Sequence, residues 1–265
     1  MDPLTRLVAV AQSLNDAQLA LLNEMASAMA VKITSTISPQ SDIVVVPFAA
    51  NLANRLLIHH ATSTEPLNKK SFEYALIAAS RAAGRSATML ASGTISGADV
   101  VVDGVRFSLK TEGAQGIKLD TIHISKRMES AGIRAFTLPQ QYVDWLLRRA
   151  LPSLQSYDRV LMLRVIRSTY RIAPAIFPAS LHTQPHVAYQ LVEIPYDLLS
   201  LMLDLKPISF GPISRSGSTK AEVELPDGSI AFVVNFDGSD EKLTISRLRM
   251  NLCIHHATFI VPTLS

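Results

Sequence analysis

Polar and apolar residues alternate on both sides of Asp103-Gly104. Val100, Val102, Val105, Phe107 and Leu109 fall at period two, and Asp-Gly is a favoured two-residue hairpin loop. The stretch Ala98 to Glu112 therefore reads as a β-hairpin in which Val102 faces Val105 and Asp99 stands opposite Ser108. Alternation sends the apolar residues to one face and gathers Asp99, Arg106, Ser108, Lys110 and Glu112 on the other. Asp103 belongs to the turn.

Ahead of the hairpin the apolar period lengthens to that of a helix. Leu4 to Leu14, an Asn15-capped stretch to Ala30, and Phe48 to His60 after Pro47 read as helices. So does the run from Asn68 to Ala83, stopped by Gly84, with Phe72, Leu76 and Ala79 on its apolar stripe and Glu73 beside it. Residues 1–65 form a helical subdomain on this reading, and residues 66–265 the main core. A short strand near Ala87 to Ser92 leads into the hairpin, and a Gly113 to Gly116 loop leaves it. The segment Asp120 to Ala131 begins ambiguously and is predicted to end as a helix before Gly132. Pro139 opens a helix through Ala150. Arg159 to Ile166 and Val187 to Ile194 have the length and content of strands, and Pro195 starts a helix to Leu205. Asp227-Gly228 and Asp237-Gly238 mark turns of a β-meander between Ala221 and Leu248. Helices alternating with apolar strands predict an α/β chain, a sheet covered by helices.

With 265 residues, 48% hydrophobic and 18% charged, the chain has material for a large core and none of the bias of a disordered one. Its first residues mix Asp2, Arg6, Asn15 and Asp16 into the apolar ones, leaving neither a signal-peptide core nor a membrane-length apolar span. A cytoplasmic protein without membrane contact is expected. Cys253 is the single cysteine, which excludes an intramolecular disulfide and a multi-cysteine zinc site. The paired histidines His59-His60 and His255-His256, in two copies of Ile-His-His-Ala-Thr, make a poor metal centre because adjacent side chains point apart.

The net charge of +3 is unevenly spread. Residues 126–171 hold nine basic residues against three acidic ones, whereas residues 1–125 balance ten against ten. An arginine-rich middle directly after a charged hairpin suits a polyanion, since the guanidinium fork matches phosphate oxygens. His123 and Lys126 are candidates for the nucleic-acid backbone, and Gln190 and Glu193 for base contacts or exposed strand positions.

The set Glu73, Asp99 and Ser108-Leu109-Lys110 resembles the PD-(D/E)xK nuclease superfamily, most closely its type II restriction endonucleases. That pattern has an acid at the start of one hairpin strand, an acid-x-lysine on the next, and often a glutamate on the preceding helix. Two positions depart from it. Ala98 stands in place of proline, and Ser108 in place of the second acid, so that Glu73 or Glu112 would have to supply the missing charge. The resemblance implies a central mixed sheet flanked by helices, with a helical amino-terminal part and a β-rich carboxy-terminal region. It also implies cleavage of double-stranded DNA with Mg²⁺ by a homodimer, whose dyad matches that of a palindromic site. The helices before residue 65 are the candidate dimer surface.

Mg²⁺ asks for about six oxygens and keeps waters readily. Asp99, the Leu109 carbonyl and Glu73 or Glu112 would meet that need; Lys110 would hold or help deprotonate the attacking water, and Ser108 could orient it. Two other functions fit the same residues: a repair nuclease that reads DNA structure, and a DNA-binding protein that has lost cleavage.

Overall fold

In a computed structural model of the protein, residues 1–31, 33–90, 97–114, 117–128, 131–167 and 186–262 are described. The far end of the strand expected near Ser92, Gly116 of the loop after the hairpin, and Arg171 of the basic stretch lie outside them. In chain order the strands are β1 (Thr34–Ile37), β2 (Ala87–Met89), β3 (Val100–Val102), β4 (Val105–Glu112), β5 (Thr121–Met128), β6 (Arg159–Arg167), β7 (His186–Ile194), β8 (Thr219–Glu224), β9 (Ile230–Asp237), β10 (Lys242–Arg249) and β11 (Ile254–Pro262). A seven-stranded sheet runs β1-β11-β7-β6-β4-β3-β2, and a four-stranded antiparallel sheet runs β5-β10-β9-β8. In the larger sheet β4 and β6 pair parallel and the other neighbours antiparallel, so it is a mixed sheet. The expected hairpin is β3 and β4, with Val102 opposite Val105.

The principal helices are α1 (Pro3–Ala11), α2 (Asp16–Ala30), α3 (Val46–Thr62), α4 (Lys69–Ala82), α5 (Pro139–Trp145) and α6 (Leu151–Gln155). Their starts follow the capping residues: Asn15 and Gln18 exchange side-chain bonds to each other's backbone amides, and the Asn68 side chain accepts from the Ser71 amide at 2.9 Å. Phe48, Leu52 and Leu56 of α3 and Phe72 and Leu76 of α4 pack against Leu109, Leu163, Leu191 and Phe259 on one face of the larger sheet. On the other face, Val160, Met162, Val192 and Ile194 meet Tyr142, Trp145, Leu146 and Leu154, together with Phe232, Val234, Phe236 and Ile245 of the smaller sheet. β6 and β7 are covered on both sides, which accounts for their nearly unbroken apolar runs. Of residues 1–65, β1 and α3 are built into this structure, while α1 buries none of its residues and α2 only Ala28.

Four elements differ from the pattern-based expectation. The segment expected to end as a helix before Gly132 is strand β5, paired with β10. β1, too polar to stand out in the sequence, is an edge strand on β11. The helix from Pro139 runs on to Gln155 through a widened π turn, Leu146–Ala150, in which the Leu151 amide reaches back five residues to the Leu146 carbonyl. Pro152 follows at once; it has no N–H for the Arg148 carbonyl and its ring would crowd that oxygen, so the helix widens ahead of it. The helix predicted from Pro195 to Leu205 is a short α-helix, Tyr196–Ser200, followed by a 3₁₀ turn, Leu201–Asp204.

The repeated Ile-His-His-Ala-Thr acquires a structural use. In each copy the second histidine is buried and hydrogen bonded, His60 Nε2 to the Tyr189 hydroxyl at 2.7 Å and His256 Nε2 to Glu193 Oε2 at 3.1 Å. Glu193 therefore lies inside the sheet and is not available to bases, and Gln190 lies beside Arg164 at 3.5 Å. Side-chain donor atoms of Asp42, Glu193 and His256 lie within 4.8 Å of one another, a spacing compatible with a metal ion, but the Arg159 guanidinium already occupies their centre. It donates to Asp42 Oδ2 at 2.6 Å, to Glu193 Oε1 at 3.0 Å, and to Glu193 Oε2. The cluster is an ion-pair network tying the segment before α3 to β6, β7 and β11.

Burial alone would raise the Glu193 carboxyl, yet the bonds from His256 and Arg159 prevail and hold it below its ordinary 4.5. A depressed carboxylate contributes stability above its unfolded value and loses it as pH falls through the folded one. Glu193→Gln is therefore expected to cost about 3 kcal/mol at neutral pH. The deficit should shrink below the ordinary glutamate range, as urea midpoints of the two proteins between neutrality and about pH 3 would show. A deficit independent of pH would contradict the account.

Candidate active site

Between the two sheets, under α6, lies a cavity of about 540 Å³ lined by Lys69, Gly97, Asp99, Lys110, Ser125, Lys126, Arg127 and Ser153. A larger hollow of about 660 Å³ beside β8 presents Asp204, Glu222 and Glu224 with Lys220, a balance that repels a polyanion. The smaller cavity is the one with the chemistry.

Asp99 enters it because the hairpin ladder falls out of step. The Asp99 amide donates to the Phe107 carbonyl at 2.7 Å, although Phe107 is the partner of Val100. Asp99 therefore does not sit opposite Ser108 as regular counting predicts. Its Oδ2 accepts from the Leu109 amide at 2.6 Å and its Oδ1 from Lys69 Nζ at 2.7 Å. Lys69 stands 3.9 Å from Glu73 Oε1, and Lys70 donates to Glu73 Oε2 at 2.9 Å. The first turn of α4 thus brings Glu73, 6% exposed, and Asp99 to a single shared cation, the Lys69 ammonium. A Cβ at Gly97 would fall 1.7 Å from Ser156 Oγ, so only glycine lets the chain pass this close to α6 on its way to Asp99.

Lys110 opens onto the same cavity. Its own burial first, then the nearby Lys69 and Arg127 cations, pull its ammonium down to about 8, against the opposing pull of Asp99 and Glu73. Ser108, 1% exposed, lies opposite Val160 of β6 in the wall and does not line the cavity. Glu112 shares the Lys110 face by parity, but its Oε2 is held by Arg164 Nε at 2.6 Å and its Oε1 by the His123 amide at 2.8 Å. Asp99, Glu73 and Lys110 come together; Glu112 and Ser108 stand apart from them.

The basic middle of the chain divides in the same way. Arg159 and Arg164 are internal ion-pair partners, Arg134 bonds to the Gly238 and Ser239 carbonyls, and Arg127 turns into the cavity. That last orientation was hidden from the alternation. Ile122 and Ile124 of β5 point inward, so Lys126 should follow, yet Lys126 is exposed and Arg127 buried. The cause is a bulge: β10 pairs Leu243 with Met128 and Ile245 with Ile124, two residues against four.

Compared with known proteins, residues 7–261 match the family model described as SmaI, a type II site-specific deoxyribonuclease. The chain belongs to that family. The SmaI-family match spans both sheets and the cavity between them. The type II restriction enzyme SmaI of Serratia marcescens is 32% identical over 217 residues, 79% of this chain and 78% of the relative. No solved structure matches the chain. As a SmaI-family protein it is a site-specific endodeoxyribonuclease acting on DNA, and its mixed sheet flanked by helices agrees with the restriction-endonuclease-like α/β fold expected from the sequence. Among the described residues no helix is long and apolar enough to cross a membrane.

Proposed function

We propose that the protein cuts double-stranded DNA with Mg²⁺ in the cavity lined by Asp99 and Lys110, with Glu73 reaching it through the Lys69 position, as a cytoplasmic homodimer. The observation that carries this reading is the convergence of two carboxylates on one cation position beside a half-buried lysine. Lys69 fills that position with an ammonium, and its side chain is 42% exposed, so it can swing toward solvent and yield to another cation. The donors are hard oxygens of the kind Mg²⁺ selects, and Asp99, Glu73 and the Leu109 carbonyl would hold the ion. Bound there, it would act as a Lewis acid on the phosphate and supply an activated water.

The chain's own residues do the rest. The Leu109 amide fixes one oxygen of Asp99, leaving the other to face the cation. Lys110 holds the attacking water, and its charge offsets that building on the phosphorane-like transition state. Ser108 and Glu112 shape the wall behind Lys110. Burial strengthens each of these interactions by excluding bulk water.

Dimerisation is supported by α1 and α2, which expose Leu4, Leu7, Val8, Leu21 and Met29. A second copy laid on this face would cover them. The whole reading is tested by incubating plasmid DNA with the protein in Mg²⁺ and in EDTA. Discrete fragments that disappear with EDTA are expected. Cleavage that persists in EDTA, or nicking confined to flaps and junctions, would overturn it, and uncut DNA that nevertheless shifts on a gel would identify a silent DNA-binding protein.

A further inference from the structure

Arg127 is a buried cation without a counter-ion. It is 7% exposed, and among the described residues no carboxylate pairs with it. Its Nη2 donates to the Tyr157 hydroxyl at 2.6 Å and its Nη1 lies 3.4 Å from Ser153 Oγ. The guanidinium stands 5.4 Å from the centre of the Tyr157 ring. Among the described residues its Nε has no hydrogen-bond partner. Burying a guanidinium against two neutral hydroxyls, with one N–H unsatisfied, is unfavourable unless something negative arrives to complete it.

The arrangement is built. The bulge in β5 reverses the alternation to turn this side chain inward, and α6 supplies Ser153 as a rest for it. The cavity it lines also holds Asp99 and Lys110. Beyond Lys69, which pairs with the two carboxylates, Lys110 and Arg127 add cationic groups to the cavity wall.

We propose that Arg127 is the phosphate-binding residue of this site, its free Nε–H and the adjoining edge of the guanidinium taking a non-bridging oxygen of the phosphodiester held for cleavage. The proposal rests on the reading of the cavity as the place of catalysis. It assigns a task to a residue outside the hairpin pattern: the carboxylates hold the cation, Lys110 the water, and Arg127 the phosphate from the remaining side. A planar fork is suited to this, since it can present two parallel donors to phosphate oxygens where an ammonium presents a point charge.

The test uses the full-length protein and duplexes carrying the mapped cleavage site, either unmodified or with one uncharged methylphosphonate at the cleaved linkage. Ca²⁺ replaces Mg²⁺ during the binding measurements. The wild type should bind the methylphosphonate duplex on the order of 10- to 100-fold more weakly than the normal one. Arg127→Gln should show a clearly smaller penalty, because the share of it due to the guanidinium is gone while the metal and Lys110 still meet the phosphate, and Arg127→Lys should recover part of the difference. An undiminished methylphosphonate penalty in Arg127→Gln would overturn the proposal. Should Arg127→Gln fail to fold, Tyr157→Phe removes the bond that aims the guanidinium and should reduce the same penalty; an unchanged penalty there would overturn it equally. Failure of the underlying reading looks different, since Asp99→Asn would then cleave the unmodified duplex at the wild-type rate.

Discussion

Asp99→Asn and Lys110→Met are each expected to lower the single-turnover rate of plasmid cleavage by about 10³-fold or more, with DNA binding and melting temperature close to those of the wild type. The size of the effect follows from where these groups stand. Asp99 reaches both the shared cation position and the backbone of β4, through Lys69 at 2.7 Å and the Leu109 amide at 2.6 Å. Asparagine can still accept from the Leu109 amide, so the geometry is kept while the charge is lost. Among the described residues Lys110 makes no ion pair; methionine there removes a half-buried cation and keeps most of the volume. Far-UV dichroism, melting and fluorescence anisotropy on labelled duplex would establish that the variants fold and bind. A folded Asp99→Asn protein that cleaves within tenfold of the wild type would sink the assignment.

The second large effect is on stability. Arg164 is fully buried, and besides Glu112 it donates to the Lys118 carbonyl at 2.6 Å and the Thr121 carbonyl at 2.9 Å. Glu112 in turn holds the His123 amide. One ion pair therefore joins β4, β6 and the beginning of β5, and so fixes the two sheets that enclose the cavity. Removing either partner leaves the other charge buried and unanswered, and Arg164→Met or Glu112→Gln should each cost about 3–5 kcal/mol. The double variant Glu112→Met/Arg164→Met should recover much of that, since two apolar side chains of similar volume leave no orphaned charge. Urea denaturation of these proteins together with the single variant Glu112→Met completes the double-mutant cycle. The same proteins separate a structural glutamate from a metal-binding one: folded Glu112→Gln, titrated calorimetrically with Mg²⁺, should bind as the wild type does. A specific loss of metal affinity without loss of stability would return Glu112 to the metal site.

What the sequence made legible was local. The Asp103-Gly104 loop and the alternation around it set the register of the hairpin, and the capping asparagines set the starts of α2 and α4. Asp99 and Lys110 were readable because they lie within one hairpin. The rest depended on contacts between distant segments. Parity correctly gave Glu112 the same face as Lys110, but whether that face is open or filled is decided by Arg164, 52 residues away in the chain. Arg127 was obscured twice, by a bulge that breaks the alternation of β5 and by the apparent helix that the broken pattern suggested. The basic excess of residues 126–171 likewise resembled a uniform surface for DNA, whereas two of its arginines hold the interior together. Polar β1 carried no apolar signal because it is an edge strand whose residues remain largely exposed.

The widened turn ahead of Pro152 sets the timing of the last helical turn. An α-helix advances about 100° per residue, so the additional residue taken up between Leu146 and Ala150 decides which side chain of Leu151–Gln155 meets the cavity wall. In this phase it is Ser153, against Arg127. Shortening the turn by one residue would rotate a neighbouring position into that place, leaving every apolar contact upstream intact while taking the hydroxyl away. The length of one helical turn, as much as the identity of any residue in it, is thus part of the specification of the site.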